Sequence, residues 1–188
     1  MRLRKIVFAL MAAVLFQSGL FAAQQWKHEV KIKSDFEDGT VQGWGPRGDK
    51  GSEETLSVAK NAKHSGEASL KISNRQKTWQ GPIHQLTDKA VPGDVYSIDA
   101  WLYYDEGPDT AAFTFSVERS FKDEATTHSY ANISAFQAKK GVWTEIKAEY
   151  TVPADPTQKN IFVYIERPYK KDSEVTADDK ISFYLDDV

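Results

Sequence analysis

From residue 55 onward the chain repeatedly alternates one apolar position with one polar position. Side chains on a strand point to opposite faces in turn, so this period of two marks half-buried strands. The clearest run is Asn160-Ile161-Phe162-Val163-Tyr164-Ile165-Glu166. Ile161, Val163 and Ile165 form an apolar face; Phe162, Tyr164 and Glu166 share the other. Two aromatics and a carboxylate in line are costly in a sealed interior, yet they suit a neutral ligand rich in hydroxyls. The same alternation predicts strands over 55–59, 68–72, 83–86, 95–104, 111–119, 129–134, 142–152 and 180–188. Asp99, Trp101 and Tyr103 then share a face, as do Thr114, Ser116 and Glu118, and as do Tyr130, Asn132 and Ser134. Turns separate these runs at Lys63-His64-Ser65-Gly66, Thr78-Trp79-Gln80-Gly81-Pro82 and Val91-Pro92-Gly93-Asp94. The stretch Gly43-Trp44-Gly45-Pro46-Arg47-Gly48 reads as turn too. No segment shows the 3.6-residue period of an amphipathic helix. Short strands at regular spacing predict an all-β sandwich, a jelly roll of two antiparallel sheets.

With 188 residues the chain suffices for one well-buried domain. Residues 1–23 have the form of an export signal: basic Arg2, Arg4 and Lys5, an apolar run over 6–16, and a small-residue exit near Ala23. The apolar run is too short to span a bilayer. Residues 24–33 read as a linker leading into a first strand, and 34–188 as one module. The ending on Leu185-Asp186-Asp187-Val188 reads as the edge of a module within a longer protein. Loss of the leader removes three basic and no acidic residues, taking the formal net charge from −3 to −6. An acidic exported domain is a poor partner for nucleic acid or an anionic membrane. The chain has no cysteine, which excludes disulfides, thiolate zinc sites and a cysteine nucleophile.

Aromatics make up 12% of a chain that is polar on average, more than a core requires. Trp79 on a loop and Tyr130 and Tyr164 on strands are candidate stacking surfaces for sugar rings, with Arg47 as donor and Glu166 as acceptor. Stacking one pyranose on Trp79 buries about 100 Å² of apolar surface, worth roughly 2–3 kcal/mol before ordering costs. Taken singly, each residue has a plainer reading: ring packing for the aromatics, a surface ion pair for Arg47, a solvated strand-end charge for Glu166.

The chain resembles a known family at several ordered places: Phe36-Glu37-Asp38-Gly39, the Trp44 stretch, Pro46-Arg47-Gly48, His64-Ser65-Gly66 before Ser69-Leu70, Thr78-Trp79-Gln80-Gly81-Pro82 and Phe183-Tyr184-Leu185-Asp186-Asp187-Val188. These look like a carbohydrate-binding module of the family 4/9/22 group, and most like family 22, the xylan-binding modules attached to secreted endo-1,4-β-xylanases. The resemblance implies a xylan groove lined by Arg47, Trp79, Tyr130, Tyr164 and Glu166. It also implies a structural Ca²⁺ held by Asp35, Glu37 and Asp186, with a backbone carbonyl such as that of Lys63. Its partners would be xylan or a related β-glucan and a covalently linked glycoside hydrolase, in a secreted monomer. One departure is the loop 167–175, longer than the family pattern, which places Tyr169 near the groove and raises Glu174 as an alternative to Glu166.

Two other classes compete. A small all-β glycoside hydrolase needs two carboxylates across a groove, and Glu118 with Glu166 supplies a candidate pair. Against it, His64, His84 and His128 lack metal-ligand spacing and Gly-x-Ser-x-Gly is absent. A protein-interaction or adhesion sandwich would use Tyr169, Lys170 and Lys171. The reading adopted is non-catalytic sugar binding.

Overall fold

The computed structural model describes residues 32–48, 53–122 and 128–188. The leader expected over 1–23 and most of the linker over 24–33 lie outside them. Two antiparallel five-stranded sheets face each other across one core. The first runs β1 (Trp44–Pro46), β4 (Pro82–Gln85), β9 (Gln158–Glu166), β6 (Thr110–Phe121) and β7 (His128–Lys139) in spatial order. The second runs β2 (Thr55–Ala59), β3 (Ser69–Ser73), β10 (Phe183–Asp186), β5 (Val95–Tyr103) and β8 (Thr144–Thr151).

The inner faces are those the alternation marks. Phe113, Phe115 and Val117 on β6, with Ile161, Val163 and Ile165 on β9, oppose Ala100 and Leu102 on β5, Phe183 and Leu185 on β10, and Leu70 and Ile72 on β3. Phe113 meets Phe183 edge to face across the gap, with ring centroids 5.3 Å apart. Each large apolar side chain buried there stabilises the fold by about 1.5–3 kcal/mol. The jelly-roll sandwich expected from the pattern is the architecture found.

Four local expectations change. Trp44–Pro46, read as turn, pairs with β4 as an edge strand; Pro46 lacks an N–H, and an edge tolerates that. β7 is twice as long as predicted, and its register against β6 shifts between Phe115 and Ser116. That bulge adds one residue on β7, so Ser134 pairs with inward-facing Phe115 while Asn132 pairs with outward-facing Ser116. The last strand begins at Phe183, because Ala177–Lys180 forms a 3₁₀ turn boxed by Thr176 and Asp179. Residues 32 and 33 carry no strand, but Ser34 and Val188 exchange two backbone hydrogen bonds of 2.8 and 3.0 Å.

Candidate functional site

The outer face of the first sheet carries a polar and aromatic surface laid out in cross-strand rows. One row runs Ile83, Tyr164, Ser116, Asn132 across β4, β9, β6 and β7. The next runs Gln85, Phe162, Glu118, Tyr130. Residues two apart on each strand share the face, so alternation alone delivers both rows.

Arg47 and Trp79 reach this face from loops. Arg47 follows β1, and its N–H donates to the Gly81 carbonyl at 2.8 Å, which locks its loop to the start of β4. Gly81 has to be glycine: a Cβ there would lie 1.7 Å from the Ile165 carbonyl oxygen, so any side chain would part β4 from β9. The loop bearing Trp79 is built on Arg75, a guanidinium only 1% exposed. Its N–H groups donate to the carbonyls of Gln80 (2.8 Å), Thr78 (2.9 Å), Asp179 (3.1 Å) and Ile181 (3.1 Å). Burial pulls its pKa down to about 10, against the pull of Glu54.

The guanidinium of Arg47 is the centre of the site. It lies 3.8 Å from the Tyr164 ring centroid, 5.6 Å from Trp79 and 5.8 Å from Tyr130. Nη1 donates to the Trp79 carbonyl at 2.7 Å and to Glu166 Oε2 at 3.1 Å, while Nε stands 3.5 Å from Glu118 Oε2. Beyond it, Glu118 Oε1 meets His128 Nδ1 at 2.6 Å, and Ser116 Oγ bonds Asn132 Oδ1 at 2.9 Å. Burial raises the Glu166 carboxyl above its usual range, with Arg47 and the Ser116 hydroxyl pulling the other way. Burial likewise pushes the Tyr164 phenol up to about 12, opposed by Arg47.

All five predicted site residues are therefore brought together on one face. Their exposure differs from the expectation of three open rings. Tyr164 is only 1% exposed, with the guanidinium against its ring, whereas Tyr130 is 58% exposed. Glu166, not Glu174, contacts Arg47; Glu174 lies in the exposed 3₁₀ turn Asp172–Glu174. The long loop folds onto the Trp79 loop: Lys170 N–H donates to Thr78 Oγ1 at 3.1 Å, and Lys77 pairs with Asp172. Tyr169 is left 74% exposed.

Sequence reasoning placed Phe162 on this face, but missed His128 beside it and the buried Arg75 beneath its loop, and took Glu118 only as half of a catalytic pair. His128 was missed because β7 starts one residue earlier than its alternation suggests. Arg75 sits in the polar run Asn74-Arg75-Gln76, which carries no signal of burial.

Of the expected calcium ligands, Glu37 and Asp186 both accept backbone N–H groups from one turn. Glu37 Oε1 accepts from the N–H groups of Glu67 (2.8 Å) and Ala68 (3.0 Å), and Asp186 Oδ2 from those of His64 (2.8 Å) and Ser65 (3.3 Å). Both thus brace the 63–68 turn. Asp35 instead pairs with Lys33 at 3.2 Å and accepts from Gln42. Among the described residues no three acidic, His or Cys side chains gather as a metal set. Yet Asp186 is fully buried, and no basic side chain among the described residues pairs with it. Burial raises its carboxyl, with the three N–H donors of His64, Asp187 and Ser65 opposing. A cation would relieve that buried charge, and the donor chemistry fits a hard one.

Comparison with known proteins gives a consistent picture. The family described as carbohydrate binding domain matches residues 29–173. Endo-1,4-beta-xylanase C of Paenibacillus barcinonensis is 37% identical over 158 residues, 84% of this chain and 14% of that protein. Endo-1,4-beta-xylanase A of Thermotoga maritima is 34% identical over 160 residues, 85% of this chain and 14% of that protein. The chain thus spans about one-seventh of the xylanases it matches. A solved family 22 xylan-binding domain from Paenibacillus barcinonensis superposes with a TM-score of 0.78 at 36% identity, covering 84% of this chain and 96% of that one.

Proposed function

This chain belongs to the carbohydrate binding domain family, and we propose that its Arg47-centred face binds xylan, the β-1,4-linked xylose polymer, without cleaving it. One observation carries the reading: Trp79, Tyr130 and Tyr164 surround a single guanidinium that is held by Glu166. Pyranose rings offer apolar C–H faces to Trp79 and Tyr130, and their hydroxyls meet acceptors on Glu166 and donors on Arg47. Arg47 is preorganised by its bonds to Trp79 and Glu166, so little ordering accompanies binding. Glu118 and Glu166 both pair with Arg47, which makes them binding and orienting groups rather than an acid and nucleophile across an open gap. The 36% identical xylan-binding domain supports the choice of ligand.

The same proposal covers the wider protein. The module is exported by its leader, acts as a monomer, and holds a covalently linked endo-1,4-β-xylanase domain close to plant cell wall polysaccharide, raising the local enzyme concentration on it. Among the described residues no helix is long and apolar enough to cross a membrane. A structural Ca²⁺ belongs to the proposal as well, held by Glu37 and Asp186 beside the 63–68 turn.

Affinity electrophoresis tests the binding. Soluble xylan in a native gel should retard the protein, with mixed-linkage β-glucan as the second polysaccharide of the panel. Trp79→Ala should abolish retardation while the circular dichroism and thermal midpoint stay as in the parent. A Trp79→Ala protein still retarded by xylan would remove Trp79 from the site, and release of reducing sugar would overturn the non-catalytic reading.

A further inference from the structure

Glu118 stands on β6 between two aromatics of the binding face, with Tyr130 as its partner on β7 and Phe162 on β9. Its side chain is 14% exposed, the same as that of Glu166. Its two oxygens are directed separately: Oε2 toward Arg47 Nε at 3.5 Å, Oε1 toward His128 Nδ1 at 2.6 Å. The His128 ring lies parallel to that of Tyr130 within 12°, at 6.1 Å between centroids. A carboxylate accepts at about four lone-pair positions, so these contacts aim Glu118 without exhausting it. Among the described residues this patch sets the carboxylates of Glu118 and Glu166 against the guanidinium of Arg47, which is already shared between them.

We infer that Glu118 is a further specificity-determining residue of this face, accepting hydroxyls of a neutral sugar chain and disfavouring chains whose sugars carry carboxylates. The inference rests on the proposed reading of the face as a xylan site. A hydroxyl donates to Glu118 with no charge penalty. An ionised substituent brought to the same place meets like charge at a partly buried position, where solvent and salt screen it less than at an open surface. Arg47 cannot offset that repulsion, because Glu118 and Glu166 already draw on it. Exclusion by repulsion is as effective a source of selectivity as a new attractive contact. His128 is a positioning residue here, holding one Glu118 oxygen so that the other stays directed at Arg47.

The test is calorimetric titration of the full chain and its Glu118→Gln variant under matched buffer conditions. The ligands are linear xylohexaose and a xylo-oligosaccharide of the same backbone length bearing one uronic acid. The parent protein should bind the neutral ligand about tenfold more tightly, and added salt should narrow the gap. Glu118→Gln, which keeps the shape and removes the charge, should close most of it. Equal affinity of the parent for the two ligands, a comparison that needs no variant, overturns the inference. So does an unchanged gap in a folded Glu118→Gln protein. Failure of xylohexaose to bind the parent at all overturns instead the reading of the face as a xylan site, and the inference falls with it.

Discussion

Arg47 decides what its neighbours present to a ligand. A cation 3.8 Å from the Tyr164 centroid is held by the ring's quadrupole and by Glu166 together, so the face of Tyr164 supports Arg47 instead of stacking a sugar. That leaves Tyr130 as the open ring on the strands, with Trp79 beside it. Glu54 shows what a carboxyl does nearby without such a partner. It is 4% exposed, and neither of its oxygens has a hydrogen bond among the described residues. Burial pushes its pKa up to about 8, opposed by the charges of Arg75 and Arg47. A carboxyl raised in the fold favours the protonated folded state. That contribution is complete below its unfolded value near about 4 and is lost as pH rises through 8. The urea midpoint should therefore fall between about pH 5 and 9 in the parent protein and flatten in Glu54→Gln. Parallel curves for the two proteins would show that Glu54 is ionised throughout.

At the scale of elements, the site depends on how a loop with no regular structure is made rigid. Residues 77–80 hold their shape because Arg75 ties the carbonyls of Thr78 and Gln80 to those of Asp179 and Ile181, joining the Trp79 loop to the 3₁₀ turn before β10. Gln80 adds a second brace, its Oε1 accepting the N–H groups of Gln76 and Lys77. Asp179 anchors the other side. Burial would raise its carboxyl, but Lys170 and Thr176 outweigh that and bring it down to about 2. Replacing Arg75 by Met leaves several buried carbonyls without donors and should cost about 3–5 kcal/mol. Differential scanning calorimetry should register this as a drop in the midpoint of roughly 10 °C, and xylan affinity should weaken as Trp79 loses its support. A midpoint within a degree or two of the parent's would mean the loop is held by packing alone. Little of this was legible beforehand. A polar run around an arginine reads as exposed turn, and only the contact of residues about a hundred positions apart reveals it as an anchor.

At the scale of the molecule, the sandwich carries its proposed functions on separate parts: sugar binding on the outer face of the first sheet, and calcium where the 63–68 turn meets the end of β10. Excess EDTA should lower the thermal midpoint by several degrees, and calcium added back should restore it, since a ligand that binds the fold alone stabilises it. A midpoint indifferent to chelation would leave Glu37 and Asp186 as plain braces of that turn. Most of the sandwich followed from the chain by itself. Alternation is a local property of the pleated backbone, so Ile161, Val163 and Ile165 were assigned inward, and Tyr164, Glu166, Ser116 and Glu118 outward, with no knowledge of which strands are neighbours. Arg47 and Trp79 were candidates by residue type, and the resemblance of ordered motifs assigned them to the same groove. What only the tertiary structure decided is how these meet. Arg47 bonds Trp79, Glu118 and Glu166 across sequence separations of 32, 71 and 119 residues. No local pattern encodes which face a loop will close over, or that its guanidinium will lie against Tyr164 and leave Tyr130 open. Those outcomes depend on strand order, on the β7 bulge and on the close approach of Gly81 to β9, all settled when the sheets assemble.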